Sequence, residues 1–155
     1  MFNELKEECG VFGMFSRKAE TAKLAMYGLF AIQHRGQESA GISSSDGYGI
    51  YSHKGLGLVS EVFKNEDELK KLRGHIAIGH VRYSTAGGKG VINAQPIAIR
   101  HSKGDMAIAH NGNLINTDQI KAKLEKQGSI FQTTSDTEVI LHLIARSLED
   151  HIEDA

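Results

Sequence analysis

The sequence predicts a layered α+β fold, in which several short strands pack against helices. Short apolar segments bounded by glycine-rich turns fill most of the chain, and two segments with helical periodicity come late. Strands and helices do not alternate regularly, which disfavours a doubly wound parallel sheet. With 155 residues, the chain is long enough for one domain with a sizeable core.

The first half of the chain is predicted to form a strand, a helix and then more strands. Residues 9–16 are strongly apolar and predict a buried strand. Residues 19–33 carry apolar side chains at helical spacing, and Gly36 supplies a stop for this helix. Turn signals at Asp46-Gly47 and Lys54-Gly55 predict three further strands, near 39–44, 48–53 and 56–62.

The second half is predicted to contain a convincing strand at 75–83, with His80 and Arg82 on the same face. The glycine-rich loop at 84–96 lacks the spacing of a phosphate-binding loop. The other predicted elements are a short helix at 65–72, strands at 97–102 and 105–110, and helices at 117–127 and 136–148.

Composition restricts the possible partners and the compartment. The net charge of -1 implies no basic face, so nucleic-acid binding is disfavoured. No apolar run is long enough to span a membrane, and residues 1–8 lack the apolar core of a signal peptide. One cysteine permits no internal disulfide, which fits a reducing compartment. We therefore expect a cytoplasmic protein with neither nucleic acid nor membrane as a partner.

The single cysteine, Cys9, follows a short polar segment and is a candidate nucleophile. Cleavage between Glu8 and Cys9 would give one residue both a thiol and a free α-amino group. An α-amine titrates at about 7.7–8.0 and suits a thiol of about 8.5 as its base. The alternative is that Cys9 is a small buried hydrophobic residue at the start of a strand.

Two polar clusters at segment ends could recognise a substrate, and each has a structural alternative. Arg82 ends a predicted buried strand, where it needs an anion, either a protein carboxylate or a ligand carboxylate. Asn111 and Gly112 could direct a side-chain amide and a backbone N–H at one oxyanion. Asn-Gly is equally a strong hairpin turn.

A third cluster lies at the predicted start of the last helix. Ser135 and Glu138 are expected to form a capping box, while Asp136 could hold a substrate ammonium group. His75 and His80 are predicted on opposite faces of a strand, and no histidine spacing fits zinc, so no metal site is predicted. Together, the clusters would grip a free amino acid and present its side-chain amide to a thiol, which suggests glutamine.

Six motifs in this chain occur in the order of a known family. They are CGVFG at 9–13, QHRGQESAG at 33–41, GHVRYSTAG at 79–87, NAQP at 93–96, HNGNL at 110–114 and SDTE at 135–138. The chain closely resembles the glutaminase domain of the amidophosphoribosyltransferase family. The resemblance implies a class II amidotransferase domain over 9–155, an αββα sandwich of the N-terminal nucleophile hydrolase type, and a propeptide at 1–8.

The resemblance also assigns roles to individual residues. Cys9 is the nucleophile, and Asn111 with Gly112 forms the oxyanion hole. Arg82 binds the α-carboxylate of glutamine, and Asp136 binds its α-amino group. Three further residues are implied in substrate binding or lie near the nucleophile: Thr85, Arg35 and Gly36.

The implied reaction hydrolyses glutamine through a γ-glutamyl thioester and passes the ammonia to phosphoribosyl pyrophosphate, which gives phosphoribosylamine for purine synthesis. The implied partners are glutamine and a C-terminal phosphoribosyltransferase domain, in a full-length homo-oligomer. No cofactor is expected in this segment. Mg, and in some members an iron–sulfur cluster, would belong to the chain beyond residue 155. The segment looks short for the whole domain, so an incomplete C-terminus and a non-catalytic, glutamine-binding fragment are both expectations to weigh.

Overall fold

The computed structural model describes residues 9–17, 20–83, 90–147 and 149. A four-stranded antiparallel sheet has the order β1-β4-β2-β3, and a second sheet pairs β5 with β6. The strands are β1 (Gly10–Phe15), β2 (Ser39–Ser45), β3 (Ile50–Leu56), β4 (Ile76–Arg82), β5 (Ile97–His101) and β6 (Gly104–Ile108). The α-helices are α1 (Thr21–Ala31), α2 (Val59–Val62), α3 (Glu66–Lys71), α4 (Thr117–Lys126) and α5 (Thr137–Arg146).

The layers follow the order helix, sheet, sheet, helix, as expected for an αββα sandwich. Helix α1 packs on one face of the larger sheet, where Leu29 and Val81 are both fully buried. Helix α5 packs on the small sheet, and Leu141 joins Ile97 and Met106 in a second core cluster. The α+β prediction is therefore confirmed.

The register of the larger sheet decides what each face carries. Gly41 of β2 pairs with His80 of β4, and paired residues point to the same face. A Cβ on Gly41 would lie 2.3 Å from the carbonyl oxygen of Gln95, in the segment before β5. The His80 side of the sheet therefore faces the second sheet, whereas the Val81 side faces α1.

Two predicted strands are wrong in detail. Residues 56–62 do not form a strand: β3 runs through Lys54-Gly55 without a turn, and 59–62 are helical. The pattern misled because Gly55 lies within β3 and packs close to Val62, where an added Cβ would come 3.3 Å from Val62 Cγ2, and is not part of a turn. Strand β1 is not fully buried, because it lies at the sheet edge and Phe15 is 61% exposed. The hairpin predicted at Asp46-Gly47 is confirmed, and it joins β2 to β3.

Among the described residues, no helix has the length and apolar character needed to cross a membrane.

Candidate active site

Cys9 lies at one end of the larger sheet, directly before β1. Gly10 pairs with Val81, and the same register brings Cys9 opposite Arg82. The Cys9 sulfur accepts from the Tyr83 N–H at 3.4 Å and donates to the Tyr83 carbonyl at 3.5 Å. Cys9 is only partly buried, so the structure does not make it an inert core residue.

A short 3-10 helix, Gln33–Arg35, holds the backbone around Cys9. The Arg35 Nε donates to the carbonyl oxygen of Cys9 at 3.1 Å. Gly36 is buried and lies against β4, where a Cβ would come within 2.5 Å of the Arg82 carbonyl carbon. Close backbone approach, rather than an unusual dihedral angle, therefore requires glycine here, since the φ of −161° is extended.

Arg82 has a protein carboxylate as a partner. Its Nη1 lies 2.9 Å from Glu38 Oε1, and the two side chains are only 6% and 16% exposed. The Glu38 backbone N–H also donates to the Arg82 carbonyl at 2.9 Å. The sequence left open whether a protein carboxylate or a ligand carboxylate binds this buried guanidinium. In the structure, the carboxylate of Glu38 is one of its partners.

Asn111 and Gly112 are exposed and follow β6, but no strand comes after them before α4. They therefore do not form the turn of a hairpin. The loop is tied to the last helix, because Asp136 Oδ2 accepts from the Leu114 N–H at 2.8 Å. Asp136 thus lies beside the segment that carries Asn111 and Gly112.

The predicted capping box does not form, and the N-cap residue of α5 is Asp136. Ser135 Oγ accepts from the Thr137 N–H at 3.3 Å and not from the Glu138 N–H that a capping box would use. Glu138 instead turns back to the N–H groups of Gln132 and Thr133, at 2.8 and 2.7 Å. The chain before Ser135 folds over the helix start, so the nearest donors to Glu138 are not those of a simple capping box.

His80 lies between the two groups of candidate residues. It is fully buried, and neither ring nitrogen has a hydrogen-bond partner among the described residues. Burial lowers the pKa of His80 from 6.5 to about 4; the nearby charge of Arg82 adds to this effect, and the backbone of His110 opposes it. His80 is therefore neutral at physiological pH.

The predicted site residues fall into two groups. Cys9, Arg35, Gly36 and Arg82 lie together at the end of β4. Asp136 is bonded to Leu114, in the segment after β6 that carries Asn111 and Gly112. No hydrogen bond between described residues joins Cys9 to Asn111 or Gly112. Thr85 lies outside the described residues.

Sequence reasoning missed the parts played by Glu38 and Gln95. Glu38 comes directly before β2 in the QHRGQESAG motif, and Arg82 at the end of a buried strand was the available signal for a carboxylate partner. Gln95, within the NAQP motif, accepts from the His110 N–H. In the described part of the chain, no three His, Cys, Asp or Glu side chains group so as to hold a metal ion.

This arrangement offers a partly exposed thiol near a guanidinium, and a carboxylate beside a loop of exposed amide groups. A family match that covers Arg82, Asn111, Gly112 and Asp136, but not Cys9, defines the class. The family described as the glutamine amidotransferase domain matches residues 65–155. The class of this protein is therefore that of the glutamine amidotransferase domains.

Curated relatives name the family within that class. The chain is 54% identical to the amidophosphoribosyltransferase of Bacillus subtilis, over 97% of this chain and 32% of that protein. It is 53% identical to the amidophosphoribosyltransferase of Lacticaseibacillus casei, over 93% of this chain and 74% of that protein. The chain belongs to the amidophosphoribosyltransferase family.

Solved structures agree with the fold. A structure titled as the allosteric regulatory enzyme of purine biosynthesis matches with a TM-score of 0.86 and 54% identity, over 93% of this chain and 31% of that one. The B. subtilis glutamine phosphoribosylpyrophosphate amidotransferase, complexed with ADP and GMP, matches with a TM-score of 0.83 and 50% identity. The chain spans about a third of the length of these structures and of the B. subtilis relative, and it corresponds to their N-terminal part.

Proposed function

We propose that this domain hydrolyses glutamine at Cys9 and supplies ammonia for the conversion of phosphoribosyl pyrophosphate to 5-phosphoribosylamine, in the first step of purine biosynthesis. The observation that carries the proposal is the position of Cys9. It lies at a sheet end, opposite Arg82, in a chain of the amidophosphoribosyltransferase family. A partly buried thiol beside a buried guanidinium suits a substrate that carries both an amide and a carboxylate.

The chemistry begins with removal of residues 1–8, which frees the α-amine of Cys9. The Cys9 sulfur attacks the γ-carbonyl carbon of glutamine, and the α-amine takes the thiol proton. The Asn111 side-chain amide and the Gly112 N–H stabilise the oxyanion of the tetrahedral intermediate. The intermediate expels ammonia, which leaves with the transferred proton, and a γ-glutamyl thioester remains. Water then hydrolyses the thioester to glutamate and restores the thiol.

Two charged residues hold the ends of glutamine that do not react. Arg82 binds the α-carboxylate through its planar donors, and Asp136 binds the α-ammonium. Arg35 holds the Cys9 carbonyl at 3.1 Å and so orients the residue that carries both nucleophile and base. Thr85 and Gly36 complete this proposed set. Positioning of this kind supplies much of the rate enhancement in acyl transfer.

The ammonia acceptor would bind elsewhere in the protein. The longer relatives suggest a C-terminal phosphoribosyltransferase domain as the partner of this one, within a homo-oligomer. Mg and, in some members, an iron–sulfur cluster would belong to that region. Ammonia would displace pyrophosphate from phosphoribosyl pyrophosphate there.

The experiment compares the intact protein with Cys9→Ala and with Ser43→Ala. Ser43 is buried in β2, and its hydroxyl lies 2.7 Å from the hydroxyl of Ser52, away from Cys9. We expect ammonia release from glutamine and a single adduct with a glutamine-like diazoketone in the wild type and in Ser43→Ala. Cys9→Ala should show neither. Intact mass should show that the reactive form begins at Cys9.

Full ammonia release by Cys9→Ala would refute the proposal. A wild-type protein that binds glutamine without releasing ammonia would instead support a non-catalytic, glutamine-binding role. If ammonia is released while residues 1–8 are still attached, Cys9 is the nucleophile but the α-amine is not its base.

A further inference from the structure

A buried glutamine connects the two segments to which the proposed function assigns oxyanion stabilisation and binding of the α-ammonium. Gln95 is 6% exposed and lies between a 3-10 turn and β5. Its Oε1 accepts from the His110 N–H at 2.7 Å, and its Nε2 donates to Thr137 Oγ1 at 3.1 Å. A backbone N–H can only donate, so the first bond fixes which end of the amide is oxygen.

The hydrogen bonds continue from Thr137 back to the loop. Thr137 Oγ1 donates to Asp136 Oδ1 at 3.4 Å, and Asp136 Oδ2 accepts from the Leu114 N–H at 2.8 Å. The backbone is thus held on both sides of residues 111–113. We call this series of bonds, from His110 through Gln95, Thr137 and Asp136 to Leu114, the loop clamp.

The clamp is anchored to the larger sheet through the backbone around Gln95. Lys54 Nζ of β3 donates to the carbonyl oxygens of Ala94 and Pro96, at 2.6 and 3.4 Å. Gly41 of β2 packs against the Gln95 carbonyl so closely that a Cβ there would lie 2.3 Å away. The position of the Gln95 side chain is therefore set by the same sheet that carries Cys9.

We propose that Gln95 is a positioning residue that holds Asn111 and Gly112 in register with Cys9 and couples them to Asp136. This inference rests on the proposed glutaminase function. An oxyanion hole lowers a barrier only when its donors are already aimed at the developing charge. Residues 111–113 are exposed and belong to no helix or strand, so their aim depends on the bonds at their two ends. Gln95 acts through His110 and Thr137 and touches no reacting atom.

The test uses the intact protein and four variants. Gln95→Met keeps the length of the side chain but removes both hydrogen bonds. Thr137→Val removes one hydroxyl at constant shape, and Thr137→Ser keeps that hydroxyl. The matched control is Thr21→Val, because Thr21 is also a buried first residue of a helix whose hydroxyl makes one long-range bond, 2.8 Å to the Gly74 carbonyl.

We expect Gln95→Met and Thr137→Val to lower kcat/KM for glutamine by about 10- to 100-fold, as misplaced catalytic groups do. KM should rise as well as kcat fall, because the clamp holds both Asp136 and the oxyanion donors. Labelling of Cys9 by a diazoketone analogue of glutamine should slow in parallel. Labelling by iodoacetamide, which needs only the thiol, should stay at the wild-type rate.

Thr137→Ser and Thr21→Val should behave like the wild type in all of these assays. The inference is overturned if Gln95→Met and Thr137→Val turn over glutamine as fast as Thr21→Val does. It is also overturned if their kcat falls while KM and the rate of diazoketone labelling stay unchanged. If Gln95→Met does not fold, Thr137→Val decides, since valine is nearly isosteric with threonine. A wild-type protein that releases no ammonia would refute the proposed function instead.

Discussion

Gly36→Ala is expected to displace the end of β4. An added Cβ would lie 2.5 Å from the Arg82 carbonyl carbon and 2.8 Å from both the Arg82 oxygen and the Val81 carbonyl carbon. These are backbone atoms of a strand paired on both sides, so they cannot move aside as a flexible side chain would. Overpacking of this kind costs about 1–3 kcal/mol.

Native-state hydrogen exchange at the Glu38 amide measures this cost locally, because that N–H donates to the Arg82 carbonyl at 2.9 Å. A cost of about 1–3 kcal/mol corresponds to exchange that is about 5- to 150-fold faster. Gly13→Ala is the matched control: Gly13 lies in β1, and its added Cβ would meet only Ile78 Cγ2 at 3.9 Å. Equal exchange rates in the two variants would refute the close-packing explanation for Gly36. The displaced Arg82 should also raise KM for glutamine in Gly36→Ala but not in Gly13→Ala.

Three further predictions concern buried polar groups. Glu38→Ala removes the carboxylate partner of Arg82 and should lower the free energy of unfolding, measured in urea, by about 2 kcal/mol. Glu38→Gln should recover part of this loss, because it keeps a hydrogen-bond acceptor for Arg82. The pKa of His80 is lowered by burial from 6.5 to about 4, so the unfolded chain binds the extra proton between these values. Above pH 6.5 this group does not lower the free energy of unfolding, but as the pH falls toward 4 on the order of 3 kcal/mol of that free energy should be lost. His80→Leu should lack this pH-dependent loss, and identical pH profiles of the variant and the wild type would contradict the prediction. Lys54→Met should lower the free energy of unfolding by about 1–3 kcal/mol and raise KM for glutamine, because it removes the bonds that hold the 93–96 segment. An unchanged KM would show that the bonds from Lys54 are not needed to position this segment.

Local patterns predicted the elements whose signals are repeated along the chain. Strand β4 and helix α5 have apolar side chains at the spacing that their buried faces need, so each was found near its true bounds. The strand at 56–62 failed because glycine before an apolar run has two explanations. Gly55 could mark either a turn or a close contact with a helix. Only its packing against Val62 in the folded structure shows that it makes the helix contact.

The site shows a similar division. Residue type and position singled out Cys9, Arg82 and Asp136, because each lies at the end of a predicted element, where binding and catalytic residues are often found. The motif resemblance then assigned their roles. Neither Glu38 nor Gln95 was singled out, although both occur within motifs that were quoted. A buried polar side chain is recognised as structural or functional by its partners, and those partners are distant in sequence: Glu38 meets a residue 44 positions away, and Gln95 meets one 42 positions away.

The sequence by itself determined the class of fold, the family and the residues that can react, because these depend on residue type and on spacing along the chain. The tertiary structure alone decided that β1 is an edge strand, that Glu38 meets Arg82 and that Gln95 bridges the loop of Asn111 to the start of α5. The physical reason is that a hydrogen bond or ion pair depends on distances of about 3 Å between atoms. Local propensity carries no information about such distances when the partners are dozens of residues apart.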